Sequence, residues 1–232
     1  VARPRQAGLG LQHRPRTRDR LMAETRAPGE RREAVRNALI ESRLTPNAIS
    51  ITGLILVVIG AALIWFEHLI LGGAAFAVGS ICDTLDGRYS RMSGKGTQFG
   101  AFLDSTLDRV GEGLALFAAC YLFASEDQPA NAALCAFAIL ASVMVSYTRA
   151  RAEALNADAA VGFGSRATRV VILSAGLILA GILGYDDPVN ALSISVWVLA
   201  FISTITAIQR IMHVRKALLA PPSGTDAPAD DL

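Results

Sequence analysis

Lysine, histidine and cysteine are scarce in this chain of 232 residues. Only two of the 22 basic residues are lysine, and the three histidines, His13, His68 and His213, have no partners at ligand spacing. The three cysteines stand in apolar runs and have neither the spacing of zinc ligands nor that of a disulfide framework. We therefore expect no Cys/His metal centre, and the cysteines should act as small buried hydrophobic residues.

Charge is also limited, because charged residues make up 18% of the chain whereas 52% of it is hydrophobic. The mean hydropathy of +0.41 is high for a soluble domain and is typical of a membrane protein of one domain. Six apolar segments have about the length that crosses a bilayer: 47–66, 69–86, 98–125, 129–155, 166–183 and 188–213. The sequence predicts an all-α integral membrane protein with six transmembrane helices, occupying residues 45–219.

The two ends of the chain differ from this central region. Residues 1–29 are rich in Arg, Pro and Gly, and residues 220–232 carry three prolines and three acids, so both are expected to be disordered tails. Residues 30–44 alternate apolar residues with arginine. This pattern predicts an amphipathic juxtamembrane helix with a basic face that lies on anionic lipid, although an ordinary solvated helix has the same pattern.

The charges between the segments predict an orientation. Basic residues cluster in the N-terminal arm, between the second and third segments, between the fourth and fifth, and at the end of the sixth. The other connections are acidic and contain Glu67, Glu126, Asp127, Asp186 and Asp187. By the positive-inside rule, both termini and the polar stretches described below face the cytoplasm, as in a multi-pass protein of the plasma membrane.

Four aspartates stand at the facing ends of the second and third apolar segments. Asp83 and Asp86 are three residues apart, and Asp104 and Asp108 are four apart, so each pair shares one face of a helix. Carboxylates beside lipid-length apolar runs are costly unless a cation neutralises them, and divalent metals prefer oxygen ligands. We expect the four side chains to form one metal site for two ions.

Glycine and arginine accompany these aspartates. Gly87 and Gly100 allow a backbone or a ligand to approach closely. Arg91, on the segment that links the two helices, carries a planar guanidinium suited to phosphate oxygens. Metal ions together with a phosphate-binding arginine indicate pyrophosphate chemistry. The alternative is a solvated loop between two helix ends whose charges have no function.

Seven of these positions resemble, in type and spacing, the signature of the CDP-alcohol phosphotransferase family of membrane enzymes: Asp83, Asp86, Gly87, Arg91, Gly100, Asp104 and Asp108. One departure is Ser90, where the family usually has alanine. The resemblance implies that the four aspartates bind two Mg²⁺ or Mn²⁺ ions and that Asp108 is the general base. It also implies a homodimer and a set of CDP-lipid contacts: Pro46, Asn47, Ala48, Ile49, Gly87, Arg91 and Thr97.

A second polar group follows in the later segments. Residues 146–154 resemble the corresponding run of phosphatidylinositol-phosphate and archaetidylinositol-phosphate synthases, and Arg166 and Arg169 fall where that subgroup has two arginines. The resemblance implies CDP-diacylglycerol and inositol 1-phosphate as substrates, with four ligands for the acceptor phosphate: Ser146, Arg149, Arg166 and Arg210. Ser165 and Thr168 depart from the subgroup, which often has glutamate at both positions.

Two alternatives stay open at this point. The acceptor could be glycerol 3-phosphate, because the arginines would suit any phosphorylated alcohol. In a different class, the four acids could line the pathway of a cation transporter, although Gly87, Arg91 and Gly100 at enzyme spacing speak against that reading. Glu112, one turn after Asp108, is expected either to support the metal site or to be an intrahelical polar residue. No nucleic-acid partner is expected.

Overall fold

In the computed structural model, the backbone is described for residues 46–93 and 97–219, and the side chains for residues 48–82 and 97–219. The predicted tails and the predicted juxtamembrane helix lie outside these residues. The described backbone contains six helices and no strand: α1 (Pro46–Trp65), α2 (Leu69–Ser93), α3 (Gln98–Ser125), α4 (Pro129–Glu153), α5 (Arg166–Leu183) and α6 (Ala191–Leu219). The predicted all-α fold with six helices is confirmed.

Four helices differ from the predicted bounds: α1 and α4 by one or two residues, and α2 and α6 by three or more. Helix α2 continues to Ser93, so the segment that contains Gly87 and Arg91 is helical and does not form the expected link. No proline interrupts residues 87–93, and a single glycine costs a helix only about 1 kcal/mol. Helix α6 begins at Ala191 and not at Pro188, because the Asn190 side chain accepts a hydrogen bond from the Ser193 backbone N–H at 2.9 Å and so caps the helix.

The six helices pack in a closed ring. Helix α1 packs against α2 and α3, helix α4 against α3 and α6, and helix α5 against α2 and α6. Large apolar side chains fill the centre, among them Phe76, Phe123 and Leu177, which are at most 1% exposed. Large apolar side chains such as Leu71 and Val171 also cover the outer surface. A bundle that is apolar both inside and outside is suited to a lipid environment.

Helices α1 and α2 approach each other closely through glycines. A Cβ atom added to Gly79 would lie 2.7 Å from the carbonyl oxygen of Gly53, and one added to Gly60 would lie 3.0 Å from that of Gly72. Small residues at such positions let membrane helices gain van der Waals contact that larger side chains would prevent. This contact sets the position of α2, which carries Asp83 and Asp86 at its far end.

Four of the described helices, α1, α4, α5 and α6, are long and apolar enough to cross a membrane by length and composition, and α2 contains a shorter apolar stretch, Leu69–Cys82. In helix α3, the apolar run is interrupted in the first half by four charged residues: Asp104, Asp108, Arg109 and Glu112. The protein is therefore an integral membrane protein, and α3 carries half of the predicted metal ligands. Of the cysteines, only Cys135 is buried, whereas Cys82 and Cys120 are half-buried.

A polar network closes the end of the bundle where α5 meets α6. The Gln128 side chain donates to the carbonyl oxygens of Tyr185 and Asp186, both at 3.0 Å. The Tyr185 hydroxyl donates to the Glu67 carboxylate at 3.2 Å. Burial, followed by the nearby Glu67 carboxylate, raises the pKa of Tyr185 to about 12, so this hydroxyl keeps its proton at neutral pH.

Candidate active site

A cavity of about 370 Å³ opens between α3, α4, α5 and α6. Its wall is rich in charge, with carboxylates and guanidinium groups contributed by nine residues: Asp104, Asp108, Arg109, Glu112, Arg149, Glu153, Arg166, Arg169 and Arg210. Ser146 also lines it, so this cavity brings together all four predicted acceptor-phosphate ligands and two of the four predicted metal ligands. Residues that are up to 106 positions apart in sequence thus share one wall.

Helix α3 presents Asp104 and Asp108 to the cavity from consecutive turns. Thr97 fixes the start of this helix, because its hydroxyl accepts a hydrogen bond from the Gly100 backbone N–H at 2.9 Å. Both carboxylates are half-buried. Their oxygen donors on one helical face fit a hard divalent cation such as Mg²⁺ or Mn²⁺.

The other two predicted metal ligands, Asp83 and Asp86, belong to the final turns of α2, and their side chains lie outside the described residues. Among the side chains that the structure describes, no group of three or more His, Cys, Asp or Glu residues is close enough to hold a metal ion. The described half of the donor set, Asp104 and Asp108, fits the metal, and the complete four-aspartate site stays a prediction.

Asp108 is joined to Arg166 across the gap between α3 and α5. The Asp108 Oδ1 atom lies 2.8 Å from Nη1 of Arg166, and the two side chains are 20% and 26% exposed. The pair links the predicted general base to a predicted ligand of the acceptor phosphate. Sequence reasoning placed both residues at the site but did not anticipate their contact.

Arg210 enters the cavity from α6 and is only 8% exposed. Its Nε atom donates to the carbonyl oxygen of Val161 at 3.0 Å, and its Nη1 atom donates to that of Val145 at 2.5 Å. Arg210 therefore braces the end of α4 and the connection between α4 and α5 while it lines the cavity. This bracing function was not predicted, because nothing in the sequence marks a backbone carbonyl as an arginine partner.

Arg149 lies at the cavity rim. Its Nε atom is 2.8 Å from Oε1 of Glu153, one turn further along α4, and the two side chains are 53% and 58% exposed. Exposed pairs of this kind contribute little to stability, on the order of 0.3–0.5 kcal/mol. The pair does place a carboxylate directly beside one of the predicted acceptor-phosphate ligands.

Glu112 has hydrogen-bond partners that the sequence did not reveal. Its two carboxylate oxygens accept hydrogen bonds from Nε and Nη2 of Arg169, at 2.6 and 2.8 Å. The Ser142 hydroxyl donates to the same carboxylate at 2.9 Å. Glu112 is thus paired with side chains of two other helices, and the expectation that it supports the metal site stays a prediction. The sequence contains both charges, but they are 57 positions apart, and no local pattern links them.

Of the predicted CDP-lipid contacts, the three whose side chains the structure describes, Ala48, Ile49 and Thr97, do not line this cavity. Pro46, Asn47, Ala48 and Ile49 form the first turn of α1, whereas Gly87 and Arg91 belong to the last turns of α2. Thr97 precedes α3. Because short connections make consecutive helices antiparallel, these helix ends belong to the same end of the bundle as the cavity. The side chains of Pro46, Asn47, Gly87 and Arg91 lie outside the described part of the chain.

Comparison with known proteins gives a consistent result. The family model for CDP-alcohol phosphatidyltransferase matches residues 43–209. The phosphatidylinositol phosphate synthase of Mycobacteroides abscessus is 38% identical over 183 residues, which cover 77% of this chain and 81% of that protein.

Two crystal structures of Mycobacterium tuberculosis phosphatidylinositol phosphate synthase are also similar. The structure with CDP-DAG bound has a TM-score of 0.69 and 32% identity, covering 79% of this chain and 92% of that one. The complex with manganese and citrate has a TM-score of 0.71 and 30% identity, covering 83% and 93%. The resemblance noted from the aspartate motif is confirmed, and the chain belongs to the CDP-alcohol phosphatidyltransferase family.

Proposed function

We propose that the protein transfers a phosphatidyl group from CDP-diacylglycerol to a hydroxyl of inositol 1-phosphate, which releases CMP and forms phosphatidylinositol phosphate. The observation that carries this proposal is the cavity in which Asp104 and Asp108 face Arg149, Arg166 and Arg210. Such a wall offers carboxylates for metal and proton chemistry beside guanidinium groups for a phosphorylated acceptor. The names of the similar proteins support the same substrates.

The reaction requires one proton transfer and one substitution at phosphorus. The acceptor hydroxyl oxygen forms a bond to the phosphorus next to the lipid, and the bond from that phosphorus to the oxygen of CMP breaks. Asp108 takes the proton of the attacking hydroxyl. Its carboxylate is positioned for this function by α3 and by the contact with Arg166.

Asp83, Asp86, Asp104 and Asp108 are the residues that would hold the two Mg²⁺ or Mn²⁺ ions. When bound, the ions would neutralise the negative charge of the pyrophosphate and stabilise the leaving CMP. The crystal structure of the similar M. tuberculosis protein with manganese supports this choice of metal. Mg²⁺ and Mn²⁺ both suit carboxylate ligands.

The acceptor's phosphate is assigned to Ser146, Arg149, Arg166 and Arg210. All four line the cavity, and they come from three different helices, α4, α5 and α6. Guanidinium groups can hold phosphate oxygens through two parallel hydrogen bonds, which fixes orientation as well as position. Such fixation of the phosphate aligns the hydroxyl with the phosphorus and so supplies much of the rate.

The CDP-lipid is assigned to the helix ends that adjoin the cavity. Its proposed contacts are Pro46, Asn47, Ala48, Ile49, Gly87, Arg91 and Thr97. We also propose that both termini and the cavity face the cytoplasm from the plasma membrane. The arginines at the cavity end and the acids Glu67, Asp186 and Asp187 at the other end support this orientation. A homodimer is part of the same proposal.

The test is an assay of purified protein in lipid nanodiscs that contain CDP-diacylglycerol. Inositol 1-phosphate and glycerol 3-phosphate are offered in competition, with Mg²⁺ or Mn²⁺ added or removed with EDTA. We expect CMP release and phosphatidylinositol phosphate only when metal is present. Phosphatidylglycerol phosphate as the main product would reassign the acceptor, and the absence of CMP release with every acceptor would favour the cation transporter.

A further inference from the structure

Glu112 and Arg169 form a buried ionic contact within the cavity wall. The exposed fractions are 7% for Glu112 and 3% for Arg169. Arg169 uses all three of its nitrogen atoms on protein acceptors, because Nε and Nη2 bind Glu112 and Nη1 donates to the Gly164 carbonyl oxygen at 2.7 Å. A guanidinium held in this way is poorly placed to bind substrate as well.

Stability alone is a weak explanation for this pair. Removing two charges from water is expensive, and apolar residues of similar volume often serve a protein core equally well or better. A buried pair with two parallel hydrogen bonds does fix distance and angle between the elements that carry it. The main effect of the pair is therefore to fix the relative position of the two helices that carry it.

The two elements that the pair joins are those that carry the reactive groups. Glu112 lies one turn after Asp108 on α3, and Arg169 lies one turn after Arg166 on α5. The contact between Asp108 and Arg166 thus stands next to the contact between Glu112 and Arg169, in the same register. Ser142 adds α4 to the network through its hydrogen bond to Glu112.

The connection before α5 is held from two sides. The Gly164 carbonyl accepts a hydrogen bond from Arg169, and the Gly164 N–H donates to the Thr206 hydroxyl of α6 at 2.9 Å. A Cβ atom at Gly164 would lie 2.7 Å from that hydroxyl, so the close approach itself requires glycine. Ser165 and Arg166 follow directly, and their position depends on this attachment.

We infer that Glu112 and Arg169 are positioning residues that set the distance between the α3 turn carrying Asp108 and the α5 turn carrying Arg166. This inference rests on the proposed function. The pair does not touch the acceptor, but it aligns the base with the ligand of the acceptor's phosphate. Without the pair, the acceptor hydroxyl loses its alignment, whereas the CDP-lipid contacts at the ends of α1 and α2 are retained.

The test uses the double variant Glu112→Leu/Arg169→Met, which removes both charges and leaves neither one unpaired. We expect the KM for inositol 1-phosphate to rise and kcat to fall, together by roughly 10- to 100-fold in kcat/KM. The KM for CDP-diacylglycerol should stay within about twofold, since six of its seven proposed contacts lie at the ends of α1 and α2. Arg169→Lys keeps the charge but loses the two parallel hydrogen bonds. It should also raise the KM for inositol 1-phosphate and not that for CDP-diacylglycerol, to a smaller extent.

A matched control is Tyr185→Phe, which breaks the hydrogen bond to Glu67 at the other end of the bundle and should change neither KM. The inference is overturned by an unchanged acceptor KM in the double variant, or by an equal rise in KM for both substrates. If the double variant does not fold, Arg169→Lys decides by the same criteria.

A measurement without substrate separates this inference from the proposed function. Spin labels on the exposed positions Ala101 and Ala167, in protein whose three native cysteines are replaced by alanine, report the distance between α3 and α5. We expect a broader distance distribution in the double variant than in the parent. An unchanged distribution would contradict positioning even if inositol 1-phosphate proved not to be the acceptor, and broadening would support it in that case too.

Discussion

Asp108 and Arg166 face each other across the cavity, with 2.8 Å between the carboxylate Oδ1 and the guanidinium Nη1. The contact joins α3 to α5, and both residues are partly accessible from the cavity. A guanidinium carries five N–H donors in a planar fork, so one arginine is able to contact a carboxylate and a phosphate at the same time. In the proposed function, this contact joins the proposed base to a proposed ligand of the acceptor's phosphate.

The first prediction concerns the base. Asp108→Asn should leave the protein folded and lower CMP release by at least about 100-fold, because an amide cannot accept the hydroxyl proton. Turnover in nanodiscs and the thermal midpoint of the purified protein measure the two effects. Asp186→Asn, the same chemical change at an exposed site in the connection between α5 and α6, is the control and should retain activity. Near-normal turnover of a folded Asp108→Asn protein would remove Asp108 as the base.

The second prediction concerns Arg210. Arg210→Gln should raise the KM for inositol 1-phosphate by roughly tenfold or more and leave the KM for CDP-diacylglycerol nearly unchanged, since the lost charge belongs to a proposed ligand of the acceptor's phosphate. Arg210→Lys should be intermediate, because an ammonium keeps the charge but cannot reach both Val145 and Val161 in the same way. Arg215→Gln, on an exposed part of the same helix, serves as the control. Equal effects on both substrates would argue against an acceptor contact.

The third prediction concerns the rim of the cavity. Glu153 competes with the acceptor phosphate for Arg149, so Glu153→Gln should lower the KM for inositol 1-phosphate by about two- to fivefold. The effect should shrink as salt is added, because both side chains are exposed. Steady-state kinetics at two salt concentrations measure it, with Glu126→Gln in the connection between α3 and α4 as the control. A raised KM would show that Glu153 supports the site.

The fourth prediction compares two glycines in helices. Gly79→Ala forces a Cβ atom to within 2.7 Å of the Gly53 carbonyl oxygen and should lower the thermal midpoint, at a cost of about 1–3 kcal/mol. Gly113→Ala meets nothing within 4 Å and should be neutral or stabilising by up to about 1 kcal/mol. Thermal unfolding in the same detergent measures both. Equal midpoints for the two variants would contradict the close contact of α1 with α2.

Much of the fold follows from composition and periodicity. Apolar runs of bilayer length predict helices without any knowledge of which side chains contact each other. The bounds of α3 and α5 accordingly agree with the prediction at both ends. Helix α2 was predicted too short. Charged residues end its apolar run, but the helix continues beyond them to Ser93. The start of α6 was misplaced, because the Asn190 cap depends on local hydrogen bonds and not on hydropathy.

For the site, the sequence predicted the residues but not the contacts between them. Asp104, Asp108, Ser146, Arg149, Arg166 and Arg210 were all predicted from motif and resemblance, and the structure places the six of them around one cavity. The partners of these residues were not predicted. A salt bridge such as that of Arg169 with Glu112 depends on a distance between helices, which no local spacing encodes.

The residue order alone was enough to establish a helical membrane protein of the CDP-alcohol phosphatidyltransferase family, because hydropathy and the aspartate spacing are local properties of the chain. Tertiary packing was needed to decide which charged residues form ion pairs with each other. It placed Arg166 on Asp108 and Arg169 on Glu112, and it turned Arg210 toward backbone carbonyls. The physical reason is that hydrogen bonds and ion pairs act over a few ångströms, so their partners are selected only when the helices are already side by side.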